Sequence, residues 1–272
     1  RVFTRKDRMK PLHINAFLDR IVEKYNRDDP QGRPISSYQM THLSGKLLSL
    51  ALIAWFAWLT GDPKMRRFYI AFLLITYLYP KLYVNRIKPM LFKTANQSFL
   101  QDSVLFLIPF LCLLLWLLRV PLGSGMDLFG LILPMMLGFR RIGCFLGGCC
   151  FVLPSRIGVR YPERMFARMS EDAKKNPRLI PTGRVFPIQL VESLFAFALF
   201  AGLMVRLWVT RDFSGLTMFW FLWLYSAYRF VSDFFRVSSR RPRYFGGKLS
   251  EAQVFSLLLF FACSAIYYAL TE

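Results

Sequence analysis

The sequence predicts an all-α integral membrane protein of about seven transmembrane helices, with a small head between the fourth and fifth spans. Two observations carry that prediction. The 272-residue chain is 55% hydrophobic, and its apolar residues come in long blocks. They are not scattered at the period of roughly 3.6 or 2 residues that marks a soluble core. The blocks are separated by short basic stretches, so a chain this apolar still carries a net charge of +20. Water cannot solvate such blocks, and a helix is the element that satisfies its own backbone polar groups in hydrocarbon.

About 20 apolar residues cross the hydrocarbon core. On that measure the spans fall near 44–60, 67–84, 99–118, 126–146, 187–209, 216–236 and 252–270, with the first one short. Residues 1–43 precede them as a basic N-terminal segment. Within it Leu12, Ile14, Phe17, Leu18, Ile21, Val22 and Tyr25 recur at nearly helical spacing, with Arg20, Glu23, Lys24 and Arg27 between them. That pattern fits an amphipathic helix lying on the membrane surface, or one docked on the bundle. Residues 44–272 make the membrane domain. Its 147–186 connection is the one large enough to form a head, expected to rest on the basic face.

Charge alternates from loop to loop. With seven spans, the N-terminal segment shares its side with the loops 85–98, 147–186 and 237–251, which carry Arg156, Arg160, Arg164, Arg240 and Arg241 among many others. The other side has little beyond Lys64, Arg66, Arg67, Arg119 and Arg211. The positive-inside rule makes the basic side cytoplasmic, with the N-terminus in and the C-terminus out. A chain this basic suits an anionic lipid surface better than nucleic acid, because each juxtamembrane Lys or Arg contributes about 1 kcal/mol there. The opening Arg1-Val2-Phe3-Thr4-Arg5-Lys6 reads as no cleavable signal peptide, and its lack of an initiator Met points to residues upstream.

The five cysteines do not form a secreted disulfide framework. Cys144, Cys149 and Cys150 are close in sequence, but the two histidines, His13 and His42, lie far upstream. No metal and no cofactor is expected.

Ionisable residues inside spans are costly and mark functional sites by default. Three clusters qualify. Arg140 and Arg141 end the fourth span and are followed by Gly143, Gly147 and Gly148, which let the backbone turn and approach a ligand. An arginine fork matches phosphate geometry, whereas the bland alternative is a pair of snorkelling arginines. Gln189 and Glu192 open the fifth span three residues apart on one helix face, and so deep a carboxylate needs a partner, most plausibly arginine. Tyr225, Arg229, Asp233 and Arg236 fall on one stripe closing the sixth span. That stripe faces the bundle interior or a polar cavity, whether for function or as a purely structural ion pair.

These stretches resemble the prolipoprotein diacylglyceryl transferase family of bacteria. The matching pieces are Arg141-Ile142-Gly143-Cys144 with Gly147-Gly148-Cys149-Cys150, then Pro187-x-Gln189-Leu190-x-Glu192. Tyr225-x-x-x-Arg229 with Asp233-Phe234-Phe235-Arg236 follows, and Leu249-Ser250-x-x-Gln253 enters the last span. The resemblance covers about 98–260 and implies seven helices, a head after the fourth, and a bacterial cytoplasmic membrane. It implies transfer of a diacylglyceryl group from phosphatidylglycerol to a lipobox cysteine thiol, with release of glycerol phosphate. It would give Arg141 and Arg229 the phosphate, with Asp233 and Arg236 behind them. Arg140, Gly143, Gly147, Gly148, Gln189, Glu192, Tyr225 and Gln253 complete the substrate-binding set.

The departures are specific. The family's His-Gly-Gly is replaced by Ser98-Phe99-Leu100-Gln101-Asp102-Ser103. Its Asn is Cys144, and the His before its Pro-x-Gln-Leu is Phe186. The base that takes the acceptor's proton then falls to Asp102 or Asp233, and the acceptor need not be a lipobox cysteine. The family's head also faces away from the cytoplasm, opposite to the charge rule. Two further readings follow: a relative without transfer chemistry that binds anionic lipid or docks a partner, and a transporter with arginines along an anion path.

Overall fold

The computed structural model describes residues 13–25, 36–87, 89–90, 100–148, 154–162, 165, 183–235, 243–246 and 248–271. Most of them are helical, in α1 (His13–Tyr25), α2 (Ser37–Thr60), α3 (Phe68–Tyr79), α4 (Leu100–Leu117), α5 (Leu122–Leu146), α6 (Ile188–Thr210), α7 (Leu216–Asp233) and α8 (Glu251–Thr271). The all-α expectation misses three short strands in the connections: β1 (Pro154–Val159), β2 (Arg243–Tyr244) and β3 (Leu249–Ser250). β2 and β3 pair antiparallel, Arg243 opposite Ser250 and Tyr244 opposite Leu249. The residues between Leu146 and Ile188 that carry the expected head are described only in part.

Among the described helices, α2, α5 and α6 are long and apolar enough to cross a membrane. The others are shorter or interrupted. At Pro80 α3 passes into a π-helical segment that runs to Ile87, because proline has no N–H to offer the regular ladder. α4 has 18 residues and α8 has 21, both apolar through most of their length. α7 has 18 residues, but Arg229 and Asp233 sit among them.

The first span is longer than its apolar run suggests. The Ser36 hydroxyl accepts from Gln39 N–H at 3.2 Å, while Ser36 N–H donates to Gln39 Oε1 at 2.9 Å. This reciprocal cap starts α2 at Ser37, inside the segment expected to be a basic leader. Tyr38, Thr41 and His42 thereby become helical and face the bundle.

α5 is the centre, packed against α2, α6 and α7, while α7 also packs on α8. The α2 crossing depends on Gly143, where a Cβ would stand 2.3 Å from the Thr41 hydroxyl. At the opposite end of α5, buried Asp127 caps a neighbouring helix. Its Oδ2 accepts from Gly215 N–H at 2.8 Å and its Oδ1 from Thr217 N–H at 2.7 Å. Those amides open α7, so a carboxylate with no cation partner among the described residues sits at a positive helix end.

A second, smaller core lies beyond the Arg141 end of α5. Leu18 and Val22 of α1 pack there with Phe145, Val159, Tyr161 and Val185. Asn15 makes two bonds to β1, from its amide to Arg156 O at 3.0 Å and from Gly158 N–H to its Oδ1 at 2.9 Å. Asp19 accepts from both terminal nitrogens of Arg184, at 3.0 and 2.8 Å. One face of α1 is therefore docked on the head strand, while Ile14, Phe17 and Tyr25 remain about half exposed, at 48%, 58% and 53%.

Candidate functional site

Four helix ends meet beside this smaller core, and their polar side chains form one buried chain of contacts. Glu192 stands at its middle. Pro187 precedes α6, and Gln189 and Glu192 follow on the same face of its first turns, both fully buried. A carboxylate buried in an apolar bundle is retained only with partners. Its Oε1 faces Arg141 Nε of α5 at 2.9 Å, Arg229 Nη1 of α7 at 3.6 Å, and the Tyr225 hydroxyl, which donates at 3.0 Å.

Arg229 continues the chain. Its Nη2 lies 3.2 Å from Asp233 Oδ1, one turn further along α7. Asp233 Oδ2 accepts a short hydrogen bond from the Ser250 hydroxyl. Ser250 and Gln253 then cap α8 reciprocally: Ser250 N–H donates to Gln253 Oε1 at 2.9 Å, and Gln253 N–H to Ser250 Oγ at 3.2 Å. The Gln253 amide also donates to Phe230 O at 3.3 Å, tying α8 to α7. The Ser-x-x-Gln piece noticed in the sequence is thus a helix cap joined to a buried aspartate. Ser250 is a further residue of the cluster, and Ser-x-x-Gln before an apolar run is its signal in the sequence.

In these ion pairs of the described residues the electrostatic balance is even, two guanidinium groups against two carboxylates. The hydrogen bonding is not. Arg229 is only 2% exposed, and its Nε and Nη1 lack a hydrogen-bond acceptor among the described residues. The 3.6 Å approach to Glu192 is a charge contact, longer than a hydrogen bond. A buried donor left this way costs about 1–3 kcal/mol, more when charged, and an anionic oxygen would satisfy it. Arg141, with a side chain 16% exposed against 2% for Arg229, is the more open of the two arginines. Two arginines from different helices thus converge on one buried carboxylate, and Asp233 holds the second guanidinium from its own helix.

Not every expected residue joins the cluster. Arg140 turns to α2, where its Nε donates to the Tyr38 hydroxyl at 2.9 Å. Gly143 is occupied by the α2 crossing, and Gly147 N–H closes the last turn of α5 on Gly143 O at 2.8 Å. Gly148 has φ +65°, the left-handed conformation that ends α5 and lets the chain turn towards β1. Gln253 serves the cap just described. Arg236 and the side chain of Asp102 lie outside the described residues. Among the described residues no group of three His, Cys, Asp or Glu side chains converges on a metal position.

A model of the prolipoprotein diacylglyceryl transferase family matches residues 102–269. Two relatives bear names of that activity. The phosphatidylglycerol–prolipoprotein diacylglyceryl transferase 2 of Clostridium perfringens is 32% identical over 138 residues, 50% of this chain and 47% of that protein. The phosphatidylglycerol–prolipoprotein diacylglyceryl transferase of Clostridium tetani is 35% identical over 124 residues, 44% and 43% of the two chains. The chain spans about half the length of the curated relatives it matches. It belongs to the prolipoprotein diacylglyceryl transferase family.

Proposed function

We propose that this family member is a membrane-embedded transferase. It moves a diacylglyceryl-type group from an anionic phospholipid such as phosphatidylglycerol to an acceptor, with Arg141 and Arg229 clamping the phosphate. The observation that carries the proposal is Arg229: a guanidinium buried to 2% exposure, facing Arg141 across Glu192, with donors unmet among the described residues.

The chemistry asks for such a clamp. The acceptor sulfur or oxygen attacks the glyceryl carbon, forming a bond to that carbon as the carbon–oxygen bond to phosphate breaks. The electron pair leaves with the phosphate as glycerol phosphate, and the acceptor's proton passes to a base. Charge builds on the departing phosphate, where preformed guanidinium donors stabilise the transition state more than the ground state. Asp233 already engages Arg229 and Ser250, which suits holding the clamp better than accepting a proton. Asp102 stands as the candidate base.

In the same reading α2 to α8 cross the bacterial cytoplasmic membrane seven times, preceded by a basic N-terminal segment bearing α1. The meeting of the end of α5, the start of α6, the end of α7 and the start of α8 supports this alternation. The acceptor is a prolipoprotein-like thiol or another nucleophile.

The deciding experiment incubates the purified full chain with phosphatidylglycerol and a lipobox peptide and detects diacylglyceryl-peptide by mass. Product that falls at least about a hundredfold in both Arg141→Gln and Arg229→Gln, with both variants folded, is the expected result. Unchanged turnover in both would exclude the clamp. The absence of the family's histidine at 98–103 and at Phe186 favours one second reading, a relative that binds anionic lipid without transfer. Sustained product from the wild-type chain excludes that reading.

A further inference from the structure

Arg140 and Arg141 are adjacent in sequence, so on a helix their side chains depart about 100° apart. They serve different neighbours. Arg141 reaches Glu192 on α6, and Arg140 reaches Tyr38 on α2. Tyr38, His42 and Lys46 follow one another at every fourth position of α2, a single stripe. The Tyr38 and His42 rings are stacked, with centroids 6.1 Å apart and planes within 8°. Gly45 packs on Phe139, where a Cβ would stand 3.3 Å from the Phe139 Cβ, so the next residues of the two helices, Lys46 and Arg140, lie at one level of the α2–α5 pair.

No carboxylate pairs with Arg140 or Lys46 among the described residues, although the ion pairs of Arg141, Arg184, Arg206 and Arg229 are all present there. Both cations are partly buried in an apolar helix pair. The Tyr38 hydroxyl accepts from Arg140 and keeps its own proton to donate. Beside the stripe Leu43 and Leu47 are exposed, at 49% and 58%, as an acyl chain next to a headgroup would require.

We propose that Arg140, Lys46 and Tyr38 form a second anion site, on the α2–α5 face, for the phosphate of a lipid headgroup or of a free phosphate monoester. Two cations supply the charge, the guanidinium fork and the hydroxyl supply direction, and His42 holds the tyrosine ring in place. The site is separate from the Arg141–Glu192–Arg229 cluster and does not rest on the transfer reaction.

The test counts phosphatidylglycerol molecules retained by the delipidated full chain in detergent, by native mass spectrometry, with phosphatidylcholine as the control lipid. The wild-type chain should take up two phosphatidylglycerols in separable steps. Arg140→Gln and Lys46→Gln should each weaken one step about tenfold and leave the other. Tyr38→Phe, which removes a single oxygen, should weaken the same step and guards against misfolding of the charge variants. Competition with glycerol phosphate separates the two sources: displacement identifies the free monoester, and retention identifies the lipid, each supporting the site. An unchanged count in Arg140→Gln, or equal uptake of phosphatidylcholine, would overturn it and leave Arg140 a snorkelling arginine only. Loss of the other step in Arg229→Gln would report on the transfer site alone, so the two proposals fail separately.

Discussion

Glu192 on α6 and Arg229 on α7 face each other at 3.6 Å, with the side chains 0% and 2% exposed. Arg141 stands against the same carboxylate oxygen at 2.9 Å. One acid therefore positions two arginines from different helices, and removing it leaves two like charges buried together. Glu192→Gln is expected to destabilise the fold by about 3–5 kcal/mol, the cost of breaking a buried pair from one side. Thermal unfolding in detergent reads this, and a Tm unchanged from wild type would show that the pair is not held as described.

Arg229→Lys keeps the charge but loses the fork that spans Glu192 and Asp233. Product formation should fall at least about tenfold, with phosphatidylglycerol still bound. A lysine variant of wild-type activity would show that charge alone suffices.

Ser250 joins Asp233 to the cap of α8. Ser250→Ala breaks the reciprocal cap and leaves Asp233 Oδ2 without that donor, for a loss of about 1–3 kcal/mol. Ser250→Thr keeps the hydroxyl and should recover most of the loss. Equal stability of the alanine and threonine variants would count against the link.

Asp127 caps α7 from α5 at the end remote from the arginines. Asp127→Ala is expected to cost about 1–2 kcal/mol of stability. Product formation per folded molecule should stay at the wild-type level below the lowered Tm. A lost product with an unchanged Tm would contradict a capping role.

Asp19→Ala removes both bonds from Arg184 and the one from Arg160 N–H, and loosens α1 on the head, leaving the Asn15 bonds to β1. Limited proteolysis should then cut near Tyr25 earlier than in the wild type, while the membrane helices survive. The effect on global stability should stay within about 1 kcal/mol, because this pair is partly exposed.

The helices and the local spacing within them were legible in the sequence. Apolar runs locate α4, α5, α6 and α8 to within a few residues, since backbone satisfaction in hydrocarbon leaves little choice. Gln189 with Glu192, and Tyr225 with Arg229 and Asp233, share faces because helical geometry alone puts residues three and four apart together. The start of α2 was misread because its signal is a cap and not hydropathy: Ser36 and Gln39 extend the helix through polar residues. The start of α8 carries the same kind of cap, from Ser250 and Gln253, just ahead of its apolar run.

What the sequence by itself determined is a chain of apolar helices with arginine, glutamate and aspartate at particular helix ends. Which of these charges meet was decided only in three dimensions. Hydropathy states how much surface a helix must bury and is silent on which neighbour covers it. Gly143 brings α2 against α5, so Arg140 finds Tyr38 and not Glu192. Its sequence neighbour Arg141, a hundred or so degrees around the same helix, reaches the acid that also holds Arg229. A one-residue step along a chain is a quarter turn in a helix, and the packing of the neighbours converts that quarter turn into two different sets of partners.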